Sequence, residues 1–151
     1  MACSATIEGK RVIGQFTTDA EWATIKKLSK QRMVFMPDTG LPAVAKTIRR
    51  SGLITRFFSH FPGEAPEGYT SNESPEHMAL KLAVYSALLR DGYRVELEAG
   101  RDDWRADVLL YESARGPLTA IEIQLSAQSA ERTYERTAQR NSSRETLKKT
   151  F

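Results

Sequence analysis

The sequence predicts an α/β (α+β) fold in which a small mixed β-sheet is flanked by helices and preceded by a β-rich module. Two apolar runs, residues 104–111 and 118–125, flank Gly116 and Pro117, which is a hairpin signature. Upstream, Ser74 and Pro75 supply an N-cap and a first helical residue. With a strand expected over 93–98 and a last helix from about Ala127, the order becomes helix, three strands, helix.

The helix after Ser74 carries one apolar stripe, which fixes its extent. Its stripe residues are Met78, Leu82, Tyr85 and Leu89. The stripe ends at Asp91-Gly92, which predicts the end of the helix there. A tight turn over 100–103 then separates the first two strands.

The first 62 residues show short apolar runs separated by turn residues, which predicts the β-rich module. Two strands are expected within 5–17, a helix capped by Asp19, a strand at 33–36 with 41–48 as its hairpin partner, and a strand at 53–58. Residues 61–72 are rich in Pro and Gly. We therefore predict three parts: a module over 1–62, a linker over 63–72 and a second domain over 73–151.

Composition excludes several classes of protein. Twenty-two Lys and Arg against 19 Asp and Glu give a formal charge of +3, which is too small to indicate a polyanion partner by itself. The single cysteine, Cys3, excludes an internal disulfide and a cysteine-rich zinc cluster. No secretory signal or membrane span is visible, so a cytoplasmic protein is expected.

Three polar residues interrupt the apolar hairpin: Asp107 on its first strand, and Glu122 and Gln124 on its second. Residues two apart on a strand share a face, so Glu122 and Gln124 point the same way. Adjacent carboxylates in an apolar sheet repel each other and lose hydration unless a cation lies between them. The pattern favours a divalent metal site, and the alternative is a structural polar network.

Three motifs carry a family resemblance. They are Glu-Ser-Pro-Glu-His from Glu73, Arg-Ala-Asp-Val-Leu-Leu around Asp107, and Ile-Glu-Ile-Gln-Leu-Ser around Glu122. Their segment resembles the nuclease-like domain of the competence protein CoiA family, within the PD-(D/E)XK nuclease superfamily. The resemblance implies a restriction-endonuclease-like core and metal-dependent hydrolysis of DNA phosphodiesters. Residues 56–61 also resemble the small N-terminal module of CoiA relatives.

The resemblance also implies roles for individual residues. Asp107 and Glu122 would bind Mg²⁺ or Mn²⁺ together with the backbone carbonyl of Ile123. Gln124 would occupy the usual lysine position, and an amide there carries no charge, as in the CoiA-like relatives. Glu76 matches an acidic residue that holds a second metal or a metal-bound water. Its alternative role is a first-turn glutamate that complements the helix dipole.

Basic residues at every fourth position follow the hairpin and predict contact with nucleic-acid backbone. They are Arg132, Arg136, Arg140, Arg144 and Lys148. His77 and Lys81 are further candidates for phosphate contact. A solvated helix face is the alternative for His77 and for the five basic residues just named.

No further core strand follows residue 141, so three explanations stay open: a fragment, a truncated variant, or half of a sheet that another protein or subunit completes. Three functions also stay open: a DNA nuclease, a catalytically weak DNA-binding accessory module in DNA uptake, recombination or defence, and an acidic groove that binds a basic protein. RNA as a substrate is a further alternative.

Overall fold

The computed structural model describes residues 1–50, 52–69, 73–101, 104–111, 119–125 and 138. The chain divides into two compact units, Met1–Leu82 and Ala83–Phe151. The described strands form three small sheets, each with antiparallel pairing, and two α-helices accompany them. The α+β class is therefore confirmed, and the parallel pairing that a mixed sheet requires is absent from the described strands.

The first unit opens with a short hairpin of β1 (Ser4–Ile7) and β2 (Lys10–Ile13). Two strands were expected here, and the turn between them uses left-handed backbone at Glu8 and Gly9. Gly14 follows β2 at a close approach, since a Cβ there would lie 3.1 Å from the Trp22 ring. The absence of a side chain at Gly14 thus lets the chain pack under Trp22.

Helix α1 (Asp19–Lys30) begins with a capping box. The Thr18 hydroxyl accepts a hydrogen bond from the Glu21 amide (3.3 Å), and the Glu21 carboxylate accepts one from the Thr18 amide (2.7 Å). The prediction that Asp19 caps this helix is wrong by one residue, because the hydroxyl of Thr18 reaches the third amide of the helix. Trp22 and Ile25 lie buried on one face, as the apolar spacing predicts.

Strands β3 (Ala43–Arg50) and β4 (Leu53–His60) pair over eight positions, from Ala43 opposite His60 to Arg50 opposite Leu53. The predicted pairing of 41–48 with 33–36 is wrong in extent. Phe35 makes only isolated bridges, to Thr6 and to Pro42. The physical reason is that Pro42 has no amide with which to extend the pairing with residues 33–36. β3 and β4 are separated by only two positions in the sequence, which favours a long ladder between them.

The edge of β3 that faces away from β4 is closed by a side chain. The buried Ser29 hydroxyl donates to the carbonyl of Ala43 (2.9 Å) and accepts from the amide of Ala45 (3.0 Å). The Ala43 amide donates to the carbonyl of Val34 (2.8 Å). The core of this unit lies between α1 and the hairpin, where the Trp22 and Phe58 rings meet edge to face at 5.4 Å.

Residues 61–69 are attached to the first unit by polar contacts. Glu64 forms a two-point pair with Arg32, and the Tyr69 hydroxyl donates to Asp38 at 3.0 Å. The Tyr69 ring also packs on the buried His60 at 4.5 Å. The division at residues 63–72 stays a prediction, and the compact units themselves meet within α2, after Leu82.

Helix α2 (Pro75–Arg90) begins and ends as the sequence predicts. The Ser74 hydroxyl accepts from the His77 amide (3.1 Å), and Pro75 is the first helical residue. At the other end Gly92 adopts φ +85°, and the amide of Tyr93 donates to the carbonyl of Leu88 (3.0 Å). None of the helices in the described part of the chain combines the length and the apolar character needed to cross a bilayer.

The second unit contains a meander of β5 (Arg94–Arg101), β6 (Trp104–Tyr111) and β7 (Thr119–Ile121). β6 lies in the centre and pairs antiparallel with both neighbours. The hairpin expected between 104–111 and 118–125 is confirmed as the β6–β7 pair, with a second strand shorter than predicted. The connecting Gly116 and Pro117 and the last helix from Ala127 lie outside the described residues.

Candidate functional site

The register of β5 on β6 separates an apolar face of the sheet from a polar one. Val95, Leu97 and Ala99 pair with Leu110, Val108 and Ala106, and all but the half-buried Leu110 are buried. The alternate positions carry Glu96 and Glu98 on β5 and Arg105 and Asp107 on β6. Since side chains alternate along a strand, the acidic residues share the face opposite the apolar one. This second face therefore carries four charged residues, of which Glu98 is buried, together with the buried Leu109 opposite Glu96.

Asp107 lies half-buried in the middle of this polar face. Its Oδ2 accepts a hydrogen bond from the backbone amide of Ile123 at 2.9 Å. Because Val108 pairs with Ile121, the next position on each strand brings Asp107 and Glu122 to the same level. The structure thus brings together Asp107, Glu122 and Ile123, three of the predicted site residues, at the point where β7 ends.

Gln124 lies two residues beyond Glu122 and is exposed, while Glu122 is half-buried. The sequence indicated that Asp107, Glu122 and Gln124 would all be buried between strands. That expectation is wrong for Gln124, because the strand pairing ends at Ile121 and the chain beyond it lies at the edge of the sheet.

Glu98 is the residue of this face that sequence reasoning missed. Its side chain is only 3% exposed, and its carboxylate lies 3.6 Å from the guanidinium of Arg105. The ladder pairs on either side of it, Leu97 with Val108 and Ala99 with Ala106, bring Glu98 to the level of Asp107. Its backbone adopts φ +51°, a left-handed conformation that is rare for a residue other than glycine in a strand.

The remaining predicted residues lie on the first two turns of α2, in the first unit. Glu76 is exposed, and its pKa lies below the usual value because its own backbone amide and Ser74 donate to it, with Arg50 at 3.7 Å adding a positive charge. These contacts match the helix-start role of Glu76. A metal-binding role for Glu76 stays a prediction.

Glu73, just before this helix, accepts contacts from two basic residues four and eight positions later. His77 Nδ1 lies 3.0 Å from the Glu73 carboxylate, and the Lys81 ammonium forms an ion pair with it. Lys81 is 3% exposed and His77 is half-buried. Both side chains turn towards Glu73, so the solvated helix face considered for His77 does not describe its half-buried ring.

The predicted phosphate contacts of His77 and Lys81 stay predictions. The four-residue spacing of Glu73, His77 and Lys81, with Glu73 just before the helix, was the available signal for this cluster. Arg132, Arg136 and Arg140, the predicted nucleic-acid contacts after the sheet, lie outside the described residues.

Comparison with known families tests the resemblance directly. Residues 73–145 match the family model described as competence protein CoiA, nuclease-like domain. This segment is therefore similar to the CoiA nuclease-like domain. The CoiA nuclease-like segment contains α2, the whole β5–β6–β7 sheet, and every candidate residue described above. No curated protein and no solved structure matches the chain.

Proposed function

We propose that this chain is a metal-dependent nuclease that hydrolyses DNA phosphodiesters at the edge of the β6–β7 pair. One observation carries the proposal: Glu122, the first residue after β7, comes to the level of Asp107 on β6, and Asp107 accepts a hydrogen bond of 2.9 Å from the backbone amide of Ile123. The match of residues 73–145 to the CoiA nuclease-like domain supports the reaction class.

The donor set fits a hard divalent cation. Two carboxylates and a backbone carbonyl, from Asp107, Glu122 and Ile123, offer the oxygen ligands that Mg²⁺ and Mn²⁺ prefer. Two half-buried carboxylates at the same level of a sheet also repel each other without a cation. When bound, such an ion polarises a phosphodiester and lowers the pKa of a water molecule.

The residues of the chain would supply orientation. The hydrogen bond from the Ile123 amide ties the Asp107 carboxylate to the segment that carries Glu122 and Ile123. Gln124, exposed at the sheet edge, would orient a water or a phosphate oxygen through its amide. Because an amide carries no charge, we expect slower cleavage than a lysine would give.

Cleavage and binding should be measured together on labelled duplex and single-stranded DNA, with Mg²⁺ and with Mn²⁺. We expect wild-type cleavage to require metal, and both Asp107→Asn and Glu122→Gln to abolish it while DNA binding persists. Asp91→Asn is the matched control, since Asp91 is an exposed acid in the same unit. Cleavage that survives in Asp107→Asn would exclude the proposed site.

The second candidate is a DNA-binding accessory module without cleavage. The uncharged, exposed Gln124 at the usual lysine position is the observation that favours it. Metal-independent binding without cleavage in the wild type and in Asp107→Asn would establish this alternative. Restoration of cleavage by Gln124→Lys would trace the inactivity to the amide.

A further inference from the structure

The β3–β4 hairpin ends in a tip whose composition differs from the rest of the first unit. Arg50 pairs with Leu53 and Arg49 pairs with Ile54, and all four side chains are exposed. Leu53 is 71% exposed and Ile54 is 40% exposed. Because directly opposite residues share a face, each face of the tip carries one arginine beside one aliphatic side chain.

The charged residues around this tip in the sequence are all basic. No Asp or Glu occurs from residue 39 to 63, a stretch that contains Lys46, Arg49, Arg50 and Arg56. The first 62 residues have ten Lys and Arg against four Asp and Glu, a net +6, whereas residues 63–125 have six against twelve, a net −6. The modest overall charge therefore hides a basic N-terminal module.

The tip projects from the packed part of its unit. Ala45 is the last buried residue of β3, and Arg50 lies five residues further, about 16 Å at ~3.3 Å per residue. A side chain at Gly52, in the turn, would meet no atom within 4 Å. Gln15 braces the outer edge of β4, since its amide donates to the carbonyl of Ile54 (3.0 Å) and accepts from the amide of Arg56 (3.1 Å). The tip is thus exposed and supported.

We propose that the tip of the β3–β4 hairpin enters a groove of duplex DNA; this proposal rests on the proposed function. A two-stranded ribbon fits the major groove of B-DNA, which is about 12 Å wide and flanked by phosphates on both sides. One arginine on each face of the ribbon matches the two phosphate walls. Leu53 and Ile54 would contact deoxyribose and the methyl groups of thymine.

The contact of Arg50 with Glu76 relates the tip to the nuclease-like segment. The two side chains lie 3.7 Å apart and are 73% and 60% exposed, so this is a weak surface pair that a phosphate can replace. It brings the tip to the first turn of α2, where Glu76 is a predicted site residue. DNA held by the tip would therefore pass the start of α2.

The test measures binding of the full chain to a fluorescein-labelled duplex of about 20 base pairs by anisotropy, between about 50 and 200 mM salt. Each phosphate contact contributes about 0.9 to the slope of log K against log salt, so Arg49→Gln/Arg50→Gln should lower the slope by about 1.8 and weaken binding about 10–60-fold at ~0.1 M salt. The matched control, Lys27→Gln/Lys30→Gln, removes two exposed charges from α1. We expect this control and Arg49→Lys/Arg50→Lys to keep the wild-type slope.

Removal of the aliphatic side chains tests entry into the groove. Leu53→Ser/Ile54→Thr should weaken duplex binding about fivefold with an unchanged salt slope, and should affect single-stranded DNA less. Equal losses on both kinds of DNA, or an equal loss of slope in the α1 control, would overturn the proposal. A third result would also overturn it: Leu53→Ser/Ile54→Thr loses binding to phosphatidylserine vesicles while its duplex binding is unchanged. The tip would then be a membrane contact.

The experiments distinguish a failure of the proposed DNA binding by the tip from a failure of the proposed hydrolysis. A wild type that binds duplex DNA through the tip without cleaving it leaves the tip assignment intact and overturns hydrolysis. If the wild type cleaves DNA and Arg49→Gln/Arg50→Gln has the same salt slope as the wild type, only the tip proposal is overturned. If both hold, the arginine variant should raise KM for duplex DNA and keep kcat, whereas Asp107→Asn should keep binding and lose kcat.

Discussion

Replacement of Asp107 separates its role in the fold from its role in catalysis. Asp107→Ala removes the acceptor for the Ile123 amide, which lies 2.9 Å from Oδ2. A hydrogen bond to a charged group contributes about 1.5–3 kcal/mol, and half-exposure of Asp107 reduces this to about 1–2 kcal/mol. We therefore expect the Ile123 amide to exchange with solvent about 5–30-fold faster, since local opening becomes that much easier.

Asp107→Asn keeps an acceptor oxygen and loses only the charge. Because a charged acceptor is about twice as strong as a neutral one, exchange at Ile123 should rise only about 2–5-fold. Hydrogen exchange over Ile121–Leu125 measures both effects, with the exposed Asp91→Ala as the control. Both Asp107 variants should lose cleavage. Unchanged exchange in Asp107→Ala would refute the assignment of Asp107 as the support of the β7 end.

Three further predictions concern stability, and each is measured by urea or acid unfolding. Ser29→Ala should lower the free energy of unfolding by about 2–4 kcal/mol, because it leaves two buried backbone groups of β3 without their partner. The control Thr24→Ala, at an exposed position, should change the free energy of unfolding by less than about 0.5 kcal/mol. Equal effects of the two substitutions would refute this prediction. Lys81→Met should lower the free energy of unfolding by about 3–5 kcal/mol, because the largely buried Glu73 carboxylate loses its ion pair and keeps only His77 beside it, and Glu73→Leu added to it should recover part of the loss. Hydrogen bonds from Thr18 lower the pKa of Glu21, so its contribution is present above the unfolded pKa of about 4.3 and is lost as pH falls through the lower folded value. The stability advantage of wild type over Glu21→Gln should disappear in that acidic window, and an advantage that grows on acidification would contradict the capping role.

The sequence predicts those parts of the structure that local patterns determine. Ser74-Pro75 and Asp91-Gly92 mark both ends of α2, and period-two alternation identifies β6 and places Asp107 on it. Family motifs of a few residues were enough to find the CoiA segment, which the family match confirms.

Contacts between residues far apart in the sequence could not be predicted from local patterns. β3 pairs with β4 on one edge and is bonded to Val34 on the other, and local patterns do not show which segment takes which edge. Glu98 lies in an alternating strand, and no local pattern indicates its burial, its ion pair with Arg105 or its left-handed backbone.

The closure of β3 by Ser29 has a consequence for self-association. An open strand edge is a template on which another chain can add a strand, and such edges lead to aggregation or to dimers through a continuous sheet. Along Ala43–Ala45 the backbone groups are already occupied by a helix side chain and by Val34. Copies of this protein therefore cannot join by extending the β3–β4 sheet along that stretch, because a side chain of α1 occupies it.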